Sequence, residues 1–150
     1  MNVTERAELT VVGWVVRTSN ADEMDPARAR LPALWQRAGA PGVFAHVPGR
    51  IDENLYAVLT DYENDHKGAF TEIVGVGVRI APRLPEGMVA VRVPAGQALL
   101  VEARGQLPQA LTEAWQRVWQ HTESGGVPPR AFTTDVEVHH PDGVDLYLAI

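Results

Sequence analysis

Glu137 stands in the run Asp135-Val136-Glu137-Val138-His139, where the period-two alternation of a strand sends its carboxylate to the opposite side from both valines. On local grounds that is a solvent-facing position. If the side chain is covered instead, a carboxylate in apolar surroundings either takes a proton or recruits a cation. Glu72 alternates with Thr71 and Ile73 in the same way and is a second candidate acid, with exposure the reading that its neighbours favour. The aromatic residues are the other chemical resource: Trp14 and Trp35 in the first half, Trp115 and Trp119 in the second, and Tyr56, Phe70 and Tyr147 in strand-like runs. Flat apolar walls stack planar molecules, and their π faces attract cations. Core packing must account for several of them. Trp115 and Trp119 share a helical face, so one is expected to face a cleft and the other to pack below it; the sequence does not say which.

Other combinations carry less. Asp61, Glu63 and Asp65 crowd a turn beside His66, but a calcium loop needs a fuller ligand pattern than Asp-x-Glu-x-Asp, and a solvated loop explains them. His139 and His140 are adjacent, point to opposite faces of a strand and cannot chelate together, so both are expected at the surface or an edge. Gly75-Val76-Gly77 lacks the third glycine and following helix of a dinucleotide loop. Ser19 and Ser124, the only serines, lie outside any nucleophile elbow. The chain has no cysteine, which excludes disulfides, thiolate metal sites and a cysteine nucleophile. No cofactor or metal is indicated.

With 150 residues, 45% of them apolar and 21% charged, the chain suits one folded domain and not disorder. Its formal net charge is −6, and its 13 basic residues are scattered singly, which argues against direct nucleic-acid binding. An acidic balance tolerates and mildly attracts cationic ligands. Residues 1–8 carry acids where a signal peptide would be basic and then apolar, and no segment reaches the ~20 apolar residues of a bilayer span. A cytoplasmic location is the default expectation.

The elements that must position these side chains can be read from periodicity and punctuation. Residues 9–18 are rich in β-branched and aromatic types and read as a strand ending at Ser19-Asn20. Asp22 or Asp25 can cap a helix, and Ala27, Leu31, Leu34, Trp35 and Ala38 keep helical spacing despite Pro32, so a short or two-part helix ending at Gly39 is expected. A loop over 39–52, strands over 55–60 and 70–78, and a linker from Pro82 to Gly87 follow. Residues 88–96 and 97–104 look extended. Leu107, Leu111, Trp115, Val118 and Trp119 then mark an amphipathic helix running to about His121, and two strands, 135–139 and 144–150, flank the turn Pro141-Asp142-Gly143.

Both halves share one order of elements, and their helices share a phrase, Leu34-Trp35-Gln36-Arg37 against Ala114-Trp115-Gln116-Arg117. An internal duplication, with repeats over about 7–80 and 88–150, explains both facts. The expected fold is a single α+β domain over 1–150, made of tandem pseudo-two-fold strand-helix-strand-strand modules of the SHS2 type, with a mainly antiparallel sheet and a central cleft.

Three stretches resemble the GyrI-like family, the AraC-type effector-binding domains. They are 56–63 followed by Phe70-Thr71-Glu72-Ile73-Val74-Gly75-Val76; Gly87-Met88 with Val93-Pro94-Ala95-Gly96; and Ala114-Trp115 with Val118-Trp119, leading to Asp135-Val136-Glu137-Val138. With the closing Leu146-Tyr147-Leu148-Ala149-Ile150 they span nearly the whole chain in the family's order. The resemblance implies a cleft between the modules that takes flat, often cationic, amphipathic molecules, and it makes Glu137 a buried acid. Family members often carry an aromatic residue before that acid and another two residues after it, where this chain has Val136 and His139. They also often place an acid near Gly77. No helix-turn-helix precedes the match, so the chain reads as a stand-alone version.

The leading expectation is reversible capture of a small hydrophobic, cationic organic molecule, for drug or effector sensing or for sequestration, with Glu137, Trp115, Trp119, Tyr56, Trp14, Trp35, Phe70, Glu72 and Tyr147 as candidate ligand-binding residues. One alternative is hydrolysis of a reactive small molecule, with Glu137 positioning water or moving a proton. Another is a protein–protein role like that of the family's gyrase-inhibitory members, through the acidic loop 61–65. No membrane partner is expected.

Overall fold

The computed structural model describes residues 1–80 and 83–150; Pro82 of the expected linker lies outside them. In chain order the elements are β1 (Asn2–Arg6), β2 (Leu9–Ser19), α1 (Asn20–Glu23), α2 (Leu31–Ala38), β3 (Leu55–Thr60), β4 (Ala69–Val78), β5 (Val89–Val93), β6 (Gly96–Ala103), α3 (Gln109–Glu123), β7 (Thr134–His140) and β8 (Gly143–Ala149). All eight strands form one antiparallel sheet in the order β1-β6-β8-β7-β3-β4-β2-β5.

That order is symmetric about the β3–β7 pair: β3, β4 and β2 run outward on one side as β7, β8 and β6 do on the other. The halves are also exchanged at the rims. β1 pairs with β6 of the second half, and β5 pairs with β2 of the first. Strand β1 is an addition to the reading from sequence. Its five residues lie at an edge, carry one acid and one base, and show no buried face from which alternation could be recognised.

Of the expected short or two-part helix, only Leu31–Ala38 is helical within the span of its apolar set; Ala27 lies in the turns ahead of it, and the single turn α1 stands before them, with different caps. Ser19, not Asp22 or Asp25, caps α1 by accepting from the Asp22 N–H at 3.1 Å. The N-cap of α2 is Arg30, which gives no side-chain cap. Glu23 replaces it: its Oε2 accepts from the Arg30 N–H at 2.9 Å and its Oε1 from the Leu31 N–H at 3.1 Å, so the end of α1 satisfies the start of α2. Pro32 falls in the first turn of α2, where a proline's missing N–H does no harm. The second long helix begins at Gln109, and Leu107 lies ahead of it, 47% exposed.

Helices and sheet enclose two apolar clusters, one for each half. Leu34 and Ala38 of α2 pack with Val12, Ala57, Val74 and Val76; Ala110, Ala114 and Val118 of α3 pack with Leu99, Val101, Leu146 and Leu148. A third cluster, with Val11, Tyr56, Val58, Ile73, Val93 and Val136, occupies the other face of the sheet. Strands β2 and β4 approach closely where Gly13 faces Gly75: a Cβ on Gly75 would collide with the Val12 carbonyl, and one on Gly13 with the Val74 carbonyl.

Candidate ligand-binding site

The site arises from a helical stripe repeated in both halves. In α2 the buried pair Leu34 and Ala38 lies beside a second i, i+4 pair, Leu31 and Trp35; in α3 the Ala110-Ala114-Val118 stripe lies beside Leu111, Trp115 and Trp119. The small, buried stripes seat the helices on the sheet. The larger neighbouring stripes wall a cavity of about 240 Å³ over the sheet. Trp35 and Trp115 are the matched tryptophans of the phrase shared by the two helices, and each contributes one wall. Trp115 and Trp119 both border the cavity, stacked with ring centroids 6.4 Å apart, and the expected division of labour between them does not occur. What packs beneath is the alanine and valine stripe.

The floor is formed by the sheet. Phe70, Glu72 and Leu59 come from β4 and β3, and Glu137 comes from β7. Glu137 is 6% exposed, and its flanking residues Val136 and Val138 point to the far face, as alternation requires. Its carboxylate is held on both oxygens: the Trp115 indole N–H donates to Oε2 at 2.7 Å, and His139 Nε2 lies 2.8 Å from Oε1. His139 is therefore not an ordinary edge residue. Two positions along the same strand face, it pairs with Glu137 and rests against Trp35 with ring centroids 4.5 Å apart.

Glu72 departs from the exposed position that its neighbours suggested: it is 3% exposed and faces the cavity. Burial first, then the charges of Glu137 and Glu23, push its carboxyl well above the ordinary value of 4.5, against a smaller opposite pull from the Trp35 indole N–H. Trp14, Tyr56 and Tyr147 do not line this cavity. Trp14 belongs to the first-half core under Arg37, whose guanidinium carbon lies 3.6 Å from the ring centroid. Tyr56 and Tyr147 border a more open hollow of about 270 Å³ on the opposite face of the sheet, beside Val136 and Val138. Alternation alone could not separate them from the cavity residues, because both faces of this sheet are apolar.

Further lining residues were not singled out from sequence. Tyr62 sits at the start of the acidic loop and donates to Asp135 Oδ2 at 2.6 Å. Burial, with the negative Asp135 beside it, raises the Tyr62 phenol well above its usual range. Arg130 donates to the same Asp135 oxygen at 2.7 Å, with both side chains almost fully buried, and its Nε and Nη1 have no hydrogen-bond partner. It lies in a stretch with two prolines and no periodicity, where no local signal marks it. His66 stacks on Trp119 with centroids 6.5 Å apart and reaches Glu123 at 3.1 Å, which closes the loop 61–67 against α3. In that loop Asp65 accepts from the Lys67 N–H and Arg17 donates to the Asp61 carbonyl, and no metal-ligand cluster of three or more side chains forms among the described residues.

The cavity thus brings together three carboxylates, from Glu23, Glu72 and Glu137, with aromatic walls from both halves. Each basic group near it is engaged by an acid of its own: Arg130 by Asp135, His66 by Glu123 and His139 by Glu137. Such a chamber can exclude water from a flat apolar body and compensate a positive charge upon it. Duplicated modules, one shared sheet and a cavity between the helices define a GyrI-like effector-binding domain.

Within that class the chain belongs to the family of integron-associated effector binding proteins, whose family model matches residues 2–150. An integron cassette protein from the mobile metagenome of Vibrio cholerae is 33% identical, with a TM-score of 0.80 over 99% of this chain and 94% of its own. Two more distant structures, each 15% identical, share the fold: SAV2435 bound to tetraphenylphosphonium (TM-score 0.73, 98% of this chain and 90% of that one), and a protein described as a transcription regulator of Staphylococcus aureus MU50 (TM-score 0.71, 98% and 94%). No curated protein sequence matches the chain. Among the described residues no helix is long and apolar enough to cross a membrane.

Proposed function

We propose that the cavity reversibly binds an amphipathic organic cation with a flat or multi-ring aromatic body, for sensing or sequestration of a drug-like effector. The observation that carries this reading is the clustering of Glu23, Glu72 and Glu137 in a chamber walled by Trp35, Trp115, Trp119 and Phe70, with every nearby base already paired. Membership of an effector-binding family supports small-molecule capture, and SAV2435, which shares the fold, is bound to a lipophilic cation. Stacking on the tryptophans supplies affinity that tolerates different ring systems, and the carboxylates supply the preference for positive charge.

Titration with tetraphenylphosphonium, followed by tryptophan fluorescence, tests the reading. A saturable, reversible quench is expected, and it should be reduced at least tenfold in apparent affinity by Trp115→Ala. No saturation with any lipophilic cation would refute it.

A further inference from the structure

A ligand cation needs a carboxylate with lone pairs to spare, and the three acids of the cavity differ in this respect. Glu23 is committed to local structure: its oxygens accept from the Thr18 hydroxyl and from the N–H groups of Arg30 and Leu31. Glu137 is bound on one oxygen by Trp115 and on the other by His139. Glu72 is different. It lies mid-strand on β4, 3% exposed, and no lysine, arginine or histidine pairs with it among the described residues.

The charged and titratable groups nearest Glu72 lie around the cavity and not on the strands that flank β4. Glu23 is on α1; Tyr62 and His66 lie on the loop after β3; Arg130 precedes β7; Glu137 and His139 are on β7. The three bases of this set are each hydrogen-bonded to another acid, and none pairs with Glu72. A buried carboxylate with like charges beside it and no counter-ion is costly unless it takes a proton. The upward shift of the Glu72 carboxyl, caused by burial and by Glu137 and Glu23, agrees with this geometry.

We propose that Glu72, and not Glu137, takes the ligand's charge: it holds a proton in the ligand-free protein and releases that proton to solvent when the organic cation enters. The exchange balances, because a carboxylic acid and a free cation become a carboxylate–cation pair and a solvated proton. Glu137, with Trp115 and His139, serves as the fixed wall against which the cation is placed. This rests on the cation-binding reading above and adds a regulation to it: cations are held more tightly as pH rises, whereas neutral molecules of similar shape are not. Affinity for a permanently charged ligand should rise toward tenfold per pH unit until Glu72 ionises in the free protein.

The experiment is isothermal titration of the protein with tetraphenylphosphonium and with neutral triphenylphosphine oxide, from pH 5.5 to 8.5, in buffers of different ionisation enthalpy. Wild type should release close to one proton per phosphonium bound at the lower end of the range and none with the phosphine oxide. Glu72→Gln, which mimics the protonated acid, should lose the pH slope and at least tenfold of the phosphonium affinity at high pH. Glu137→Gln should keep a slope that ends at a lower pH, because one of the charges that raise the Glu72 carboxyl is gone. Phosphonium binding without proton release by the wild-type protein would overturn the proposal, and that count does not depend on any variant folding. A slope that survives in Glu72→Gln would overturn it equally. Failure of phosphonium to bind at any pH would instead remove the cation reading itself.

Discussion

Each polar group buried near the cavity has a reason to stay there that can be stated atom by atom. Asp135 accepts from Arg130, from the Tyr62 hydroxyl and, through Oδ1, from the Ala149 N–H at 2.8 Å, so three separate parts of the chain converge on one fully buried carboxylate. Removing the cation from this cluster leaves an uncompensated charge. Arg130→Met should therefore cost about 3–5 kcal/mol of folding stability, read by urea unfolding; a loss below 1 kcal/mol would mean that neither the ion pair nor the guanidinium's contacts with Phe132 and Trp115 hold this corner. Trp115→Phe keeps an aromatic ring, though a smaller one, and deletes the donor to Glu137 Oε2, which leaves a buried acceptor short of one partner. Roughly 1–3 kcal/mol of destabilisation is expected in the same assay.

At the level of elements, the cavity depends on how α2 is started. That helix has only eight residues and no side-chain cap of its own, and it carries Leu31 and Trp35 into the cavity. Glu23 supplies both acceptors for its first N–H groups. Replacing Glu23 by Ala should lower stability by about 1 kcal/mol, and hydrogen exchange should show faster opening confined to α1 and α2. Uniform protection across the chain would argue against this coupling. The β2–β4 contact sets the opposite constraint, since the Gly13–Gly75 crossing has no room for a side chain. Gly75→Ala should cost about 3 kcal/mol or more, as backbone and not a flexible side chain must move; near wild-type stability in thermal unfolding would show that the strands can separate locally.

On the scale of the whole molecule, the central β3–β7 pair joins the halves, and Ala57 lies directly opposite Glu137 there. The 80-residue offset between Ala57 and Glu137 is also the offset between Trp35 and Trp115, so Glu137 sits where the two modules meet. Burying acids at that junction links stability to pH. The folded-state pKa of Glu72 is raised, so its contribution to stability is fully present below the unfolded value and is lost as pH rises toward and through the folded one. Relative to Glu72→Gln, wild type should lose stability as pH climbs above the ordinary glutamate value of 4.5, and bound phosphonium should restore it. Parallel Tm profiles of the two proteins would contradict this sign.

Most of the architecture was legible in the amino-acid order because local rules and the global fold agree. The strand-like runs 55–60, 70–78 and 135–139, the stripe in α3, the Gly39 stop and the echoed Leu-Trp-Gln-Arg and Ala-Trp-Gln-Arg phrases all report backbone geometry that depends on near neighbours. What the sequence determined on its own was therefore the duplicated α+β domain, with Glu137 opposite its valines. Tertiary structure alone decided which face of a two-sided apolar sheet is covered by helices. It placed Glu72 inside although its neighbours suggested exposure, turned Trp14 into the core, and carried Tyr56 and Tyr147 to the other face. It also decided that Arg130, Tyr62 and His66, from segments without periodicity, reach the cavity, and that His139 engages the acid two residues before it. The physical reason is the same in each case: burial and partnership are set by chain segments far apart in sequence, and no local pattern records which of them will meet.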